Sequence, residues 1–129
     1  MPSFGKSSLE RLKTCDPKLQ AVLNEAIKYV NFSVTCGHRD KAEQDKAVAE
    51  GNSKTPWPTS KHNSLPSQAV DVAPYPLAWN DSEAFTLLAG VIYGVACTMG
   101  VQLRLGIDWD GDLSVTEHGF KDRPHIELK

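Results

Sequence analysis

Two stretches of this chain carry the residues best able to do chemistry. Ser60-Lys61-His62 runs on to Ala69-Val70-Asp71, and Asp122-Arg123-Pro124-His125 lies close to the end. Two neutral imidazoles and one carboxylate make a ligand set for a zinc ion with one position open to water, and a spare acid is what a hydrolytic centre needs beside it. His62, Asp71 and His125 are the candidate ligands and Asp122 the spare acid. On spacing alone the blander alternative, two satisfied histidines and a loop carboxylate, has the advantage. The elements that carry these residues therefore matter.

Asp16-Pro17 is a helix start, and Leu19, Val22, Leu23, Ala26, Ile27 and Val30 recur at helical intervals. With the capping-box spacing of Ser7-Ser8-Leu9-Glu10, this predicts helix over the first thirty residues. Phe32 to Cys36 reads as a strand ending at Gly37, and Asp40 to Glu50 as a helix stopped by Gly51. From Gly51 to Pro66 the chain turns to Gly, Asn, Ser, Thr and Pro, a long irregular loop of the kind that tends to be functional. In Gln68 to Ala73 the alternation sends Val70 and Val72 one way and Ala69, Asp71 and Ala73 the other. The carboxylate thus stands between small neighbours, with room for something bulky against that face.

Asn80-Asp81-Ser82-Glu83 has the spacing of a second capping box, opening an apolar helix that ends at Gly100 and should be the central core element. Val101 to Ile107 reads as a strand, Asp108 to Gly119 as a loop, and His125 to Leu128 as a final strand with His125 and Glu127 on one face. Each candidate ligand falls at the mouth or end of a strand, where placement is rigid. Helices and strands mix without repeated βαβ spacing, so the expected fold class is α+β: a single domain with a small antiparallel β-sheet packed against helices.

Composition bounds the rest. A chain of 129 residues suits one domain, residues 1–129, with no separate targeting module expected. The net charge of −2 gives no basic footprint for nucleic acid. The most apolar segment, Phe85 to Val101, is broken by Gly90, Gly94 and Thr98, so neither membrane insertion nor a signal peptide is expected. Three cysteines at no metal-like spacing, Cys15, Cys36 and Cys97, suit buried thiols in a reducing compartment.

These same residues carry a resemblance. Ser60-Lys61-His62, the run Ala69-Val70-Asp71-Val72-Ala73-Pro74-Tyr75-Pro76 and the terminal Asp122-Arg123-Pro124-His125-Ile126-Glu127-Leu128 resemble the zinc peptidase family of D-alanyl-D-alanine carboxypeptidases and phage L-alanyl-D-glutamate endolysins. The phage branch is the nearer, through the run to Pro76 and the loop Asp108-Trp109-Asp110-Gly111-Asp112. The resemblance implies a zinc cleft on the sheet, with His62, Asp71 and His125 as ligands. It implies that Asp122 is the general base that takes a proton from the attacking water and passes it to the leaving amine. Arg39, in Thr35-Cys36-Gly37-His38-Arg39, would steady the oxyanion or a substrate carboxylate, with Gln44 following. His38 is expected to pack or face solvent rather than ligate. Many relatives read His-x-x-Gly-x-Ala-x-Asp; this chain is two residues longer from His62 to Asp71, with Ser67 in the glycine's place.

Asp108, Asp110 and Asp112 form a hard-oxygen cluster that could hold calcium, although the loop is no EF-hand and a turn rich in solvated Asp explains it as well. Similar loops in calcium-responsive endolysins of the family imply a regulatory role for Ca2+. Glu117 and His118 are alternative cleft-lining residues. Trp57, Tyr75, Trp79 and Trp109 flank these segments and suit either an aromatic cleft wall or the core.

The resulting expectation is a zinc-dependent L-alanyl-D-glutamate peptidase that cleaves the stem peptide of peptidoglycan for host lysis by a phage. It would be a monomer made in the host cytoplasm, acting in the periplasm and cell wall after release by a holin. A D,D- or L,D-carboxypeptidase of the same fold is the enzymatic alternative. A non-catalytic metal-binding interaction module is the alternative from another class.

Overall fold

The computed structural model describes residues 2–116 and 121–129. Helices α1 (Lys6–Leu12) and α2 (Pro17–Ala26) lead into strand β1 (Phe32–Cys36), followed by α3 (Lys41–Ala49). A single 3-10 turn, Lys61–Asn63, interrupts the long loop before strand β2 (Ala69–Pro74). Helix α4 (Ser82–Thr98) and strands β3 (Leu103–Leu105) and β4 (His125–Leu128) complete the α+β domain. The four strands form one antiparallel sheet in the order β1-β2-β4-β3.

Local chemistry accounts for the boundaries. The Asp16 carboxylate accepts from Lys18 N ahead of Pro17, and Asp40 and Glu43 form a reciprocal capping box at the head of α3. Two expected caps shift. At α1 the helix begins at Lys6 with Gly5 at the N-cap and no side-chain cap, which puts Ser7 inside the first turn, while the buried hydroxyl of Ser8 accepts from Val34 N at 3.0 Å and ties α1 to β1. At α4 the capping residue is Asp81, bonded to Ala84 N, rather than Asn80. The strand expected over Val101 to Ile107 pairs only from Leu103 to Leu105, since Asp108 N bonds back to Leu105 O and turns the chain.

The alternation of β2 separates the two faces of the sheet. Val70 and Val72 join Phe32, Val34, Leu103 and Ile126 on the core face, against Leu19, Val22 and Leu23 of α2 and Leu88, Ala89 and Ile92 of α4. Each such side chain contributes about 1.5–3 kcal/mol by leaving water, which keeps the sheet rigid. The opposite face carries Ala69, Asp71 and Ala73, and all three are also buried. The room beside the carboxylate is taken by the 3-10 turn and its histidine. Of the cysteines only Cys15 is buried; Cys36 is half-buried and Cys97 exposed, and all three are free thiols. Cys97 lies on the solvent side of α4, next to the buried Ala96, so its expected burial is corrected. Among the described residues no helix is long and apolar enough to cross a membrane.

Candidate metal centre

Register places the first two ligands. Asp71 of β2 pairs directly with His125 of β4, so their side chains rise from one face as cross-strand neighbours. The third arrives on the 3-10 turn, which Ser60 caps by accepting from His62 N and which Asn63 closes by accepting from Ser60 N. The turn is anchored from both sides, by Arg39 N on His62 O at 2.8 Å and Gln68 N on Lys61 O at 3.0 Å. The two residues added between His62 and Asp71 are taken up in the loop after this turn, and Ser67 is fully buried there with its hydroxyl on Ala69 O at 2.6 Å.

The three side chains converge. His62 Nε2 lies 3.2 Å from His125 Nδ1, and Asp71 Oδ1 lies 3.3 Å from the first and 3.4 Å from the second. A tetrahedron of ligand bonds about 2.0–2.1 Å long, the zinc range, has edges of about 3.3–3.4 Å. Both rings are also oriented from behind. His62 Nδ1 donates to Gly37 O at 2.7 Å, and His125 Nε2 donates to Glu127 Oε1 at 2.8 Å. Each tautomer thus turns its lone pair toward the same point, where it meets the buried Asp71 Oδ1, an oxygen with no hydrogen-bond partner. Two lone pairs and an anionic oxygen aimed at one another repel unless a cation stands between them. The donor set, its spacing and the orphaned oxygen fit a tetrahedral metal.

Titration follows from the same crowding. Burial alone would pull the His62 imidazole down, but the Asp71 carboxylate and Cys36 beside it outweigh this and hold it up at about 10. Burial likewise opposes the charge on Asp71, and the two imidazoles overcome it and keep the carboxyl well below its usual range. With no metal bound, a proton is thus held where the cation fits.

The supporting residues form a connected frame. Arg39 Nη2 meets the other Asp71 oxygen, Oδ2, at 3.1 Å, and Nη1 bonds Gln44 Oε1 at 3.4 Å. Glu127 Oε2 lies 3.3 Å from both Lys61 Nζ and Arg104 Nη1, and Lys61 Nζ also donates to Leu128 O. Burial raises the Glu127 carboxyl, and its bond from His125 and the charges of His125 and Lys61 lower it further than burial lifts it.

Asp122 Oδ2 stands 4.0 Å from His125 Nδ1, on the wall of a cavity of about 320 Å³ that the two histidines also line. Burial and the nearby Asp71 charge push its carboxyl above the ordinary value, partly offset by His125, His62 and Arg39. Gly106 makes this placement possible. It exchanges backbone bonds with Asp122 and His125, and a Cβ there would run into the Asp122 carbonyl. Gly37 is similarly confined, against Thr14 and the Arg11 carbonyl.

Two site residues were not singled out by sequence reasoning. Trp109 lines the cavity with its ring 5.4 Å from that of His125; the cue was its place in the acidic loop. Gln44 is wholly buried and ties Arg39 to Ser53, Thr55 and Asn63, which its place on an outwardly polar helix does not reveal. His38 bonds the Ser64 carbonyl and is not in the convergent group. Trp79 stacks on Phe85.

Asp108, Asp110 and Asp112 do come together, each offering an oxygen within 4.8 Å of the others. Asp108 is buried; its Oδ2 accepts from Leu113 N at 2.9 Å, and Oδ1 has no hydrogen-bond partner. Glu117 and His118 lie outside the described residues.

No curated protein matches. The solved structure of the Serratia marcescens L-Ala D-Glu endopeptidase ChiX is similar, with a TM-score of 0.76, 29% identity, and coverage of 98% of this chain and 90% of that one. The family model for phage L-alanyl-D-glutamate peptidases matches residues 2–129. The chain therefore belongs to the phage L-alanyl-D-glutamate peptidase family.

Proposed function

We propose that this chain is a zinc endopeptidase of one catalytic domain, residues 1–129, which cuts the L-alanyl-D-glutamate bond of the peptidoglycan stem peptide during phage lysis of the host. The observation that carries the reading is the triangle of His62 Nε2, Asp71 Oδ1 and His125 Nδ1, with edges of 3.2, 3.3 and 3.4 Å, beside the spare carboxylate of Asp122. His62, Asp71 and His125 would hold the zinc ion. When bound, zinc supplies Lewis acidity, polarising the scissile carbonyl and bringing the acidity of water to near neutral pH.

The remaining work belongs to the protein. Asp122 Oδ2, on the cavity wall beside His125, accepts a proton from the attacking water and returns it to the leaving nitrogen. Its raised pKa suits both halves of that task, because a stronger base also makes a carboxylic acid that is present nearer neutrality. Arg39 holds Asp71 through Oδ2, and from the cavity wall its guanidinium supports negative charge developing on the substrate. Glu127 fixes the His125 ring, and His125 and Lys61 keep Glu127 ionised.

Digestion of purified peptidoglycan by zinc-loaded and chelator-treated protein, read by mass spectrometry, tests the reading. Zinc-dependent release of peptides beginning at D-glutamate is expected. Loss of terminal D-alanine would instead make the chain a carboxypeptidase, and intact muropeptides with tightly held metal would make it a binding module. The lysis reading includes a monomer made in the host cytoplasm and released to the cell wall through a holin; host lysis dependent on a co-expressed holin is its test.

A calcium ion at Asp108, Asp110 and Asp112 is a second reading, favoured by the buried, unpartnered Asp108 Oδ1. Trp109 follows Asp108 directly, so ordering this loop would steady the ring against His125. Activation by Ca2+ that disappears in Asp110→Asn is the expected result.

A further inference from the structure

We infer that Trp109 is the residue that reads the alanyl side chain on the acyl side of the scissile bond, an inference that rests on the L-alanyl-D-glutamate reading above. The two residues flanking that bond differ in kind. The glutamyl residue carries charge, whereas the alanyl residue presents a single methyl group. That methyl sits on the carbon next to the scissile carbonyl, and the carbonyl must reach the point where His62, Asp71 and His125 converge. A side chain that recognises the methyl group must therefore be apolar and must stand beside a member of that convergent group.

Among the described residues that line the cavity, Trp109 alone offers a large apolar surface; the rest of the wall is charged, hydroxylic or imidazole. Its ring centroid lies 5.4 Å from that of His125, with the two planes tilted by 36°. The residue remains 37% exposed, which leaves part of the indole open to an arriving substrate. The backbone that carries it is anchored on both sides. Before it, Gly106 N donates to His125 O at 2.8 Å and Asp108 N donates back to Leu105 O at 3.0 Å. After it, Gly111 N closes the turn onto Asp108 O at 3.1 Å, and the buried Asp108 carboxylate accepts from Leu113 N at 2.9 Å. None of these bonds uses the indole, yet together they fix its root relative to His125. A rigid ring on such a backbone makes a wall that a methyl group packs against and a larger side chain runs into.

Stem peptides that differ only in the residue before D-glutamate test this: glycine, L-alanine and L-valine, offered in competition to one sample of zinc-loaded protein. Ratios of kcat/KM from such a mixture do not depend on how much of the sample is folded or metal-loaded. Wild type should prefer L-alanine over glycine by about fivefold to 20-fold, the scale of one methyl group against a partly open apolar wall, and should discriminate against L-valine. W109A should bring the alanine-to-glycine ratio close to one and raise L-valine relative to L-alanine, while W109F should keep part of the alanine preference. A wild type indifferent to the methyl group would overturn the inference and leave the endopeptidase reading in place. So would equal losses on all three peptides in W109A, the result for a ring that only shields His125. Failure of the wild-type protein to cut before D-glutamate in any of the three would overturn both.

Discussion

At the scale of single residues, the centre is organised by what stands behind each ligand. Glu127 accepts the His125 Nε2 proton and so leaves Nδ1 free to face the convergence point. Glu127→Gln should keep the fold but weaken zinc affinity by about tenfold to 100-fold, measured by competition with a chromophoric chelator. Metal binding should also release protons. In the metal-free protein His62 is held up at about 10, so near pH 7 it carries a proton that the metal must displace. Zinc affinity should therefore fall as pH falls, and calorimetry in buffers of different ionisation enthalpy should show protons expelled. The grouping of His62, Asp71 and His125 was legible in the sequence, because their types are few and their flanking motifs distinctive. Gln44 was not, since a glutamine on a polar helix looks solvated until the fold closes the Ser53–Thr55 segment over it.

At the scale of elements, the sheet does the positioning. The Asp71–His125 pairing follows from β2 lying between β1 and β4, and strand alternation alone was enough to foresee which residues of β2 share the carboxylate's face. What alternation could not foresee was the short β3, because the chain leaves the sheet at Gly106 to let Asp122 approach. Gly106→Ala tests that account. A Cβ there meets the Asp122 carbonyl, so the variant should lose about 1–3 kcal/mol of stability in denaturant unfolding. Activity should fall further than stability explains, because the displaced backbone is that of Asp122. Likewise, both expected caps shifted: α1 begins at Lys6, which puts Ser7 inside the helix, and at α4 an aspartate one residue after Asn80 takes the capping role.

For the whole molecule, one hydrophobic core holds one face of the sheet while the cavity lined by His62 and His125 occupies the other. Folding and metal binding are therefore linked through the same strands. The melting temperature should rise with zinc concentration and continue rising above saturation, as expected for a ligand bound by the native state alone. A chelator should return it to the metal-free value. The α+β class was legible from the mix of helical and strand patterns, the single domain from length, and the family from the joint presence of the two motifs. The burial of the acidic loop's first carboxylate and the approach of Trp109 to His125 were not, because neither motif specifies how the loop after β3 folds against His125.

The central claim gives Asp71 and Asp122 different work, one as a ligand and one as a proton carrier. The most direct measurement is the rate of L-alanyl-D-glutamate cleavage by Asp122→Asn, made on protein whose zinc content is determined in the same sample. Zinc retained at one equivalent, with kcat lowered by about 100-fold to 10,000-fold, is the expected result. Cleavage at the wild-type rate by the zinc-loaded variant would contradict the account.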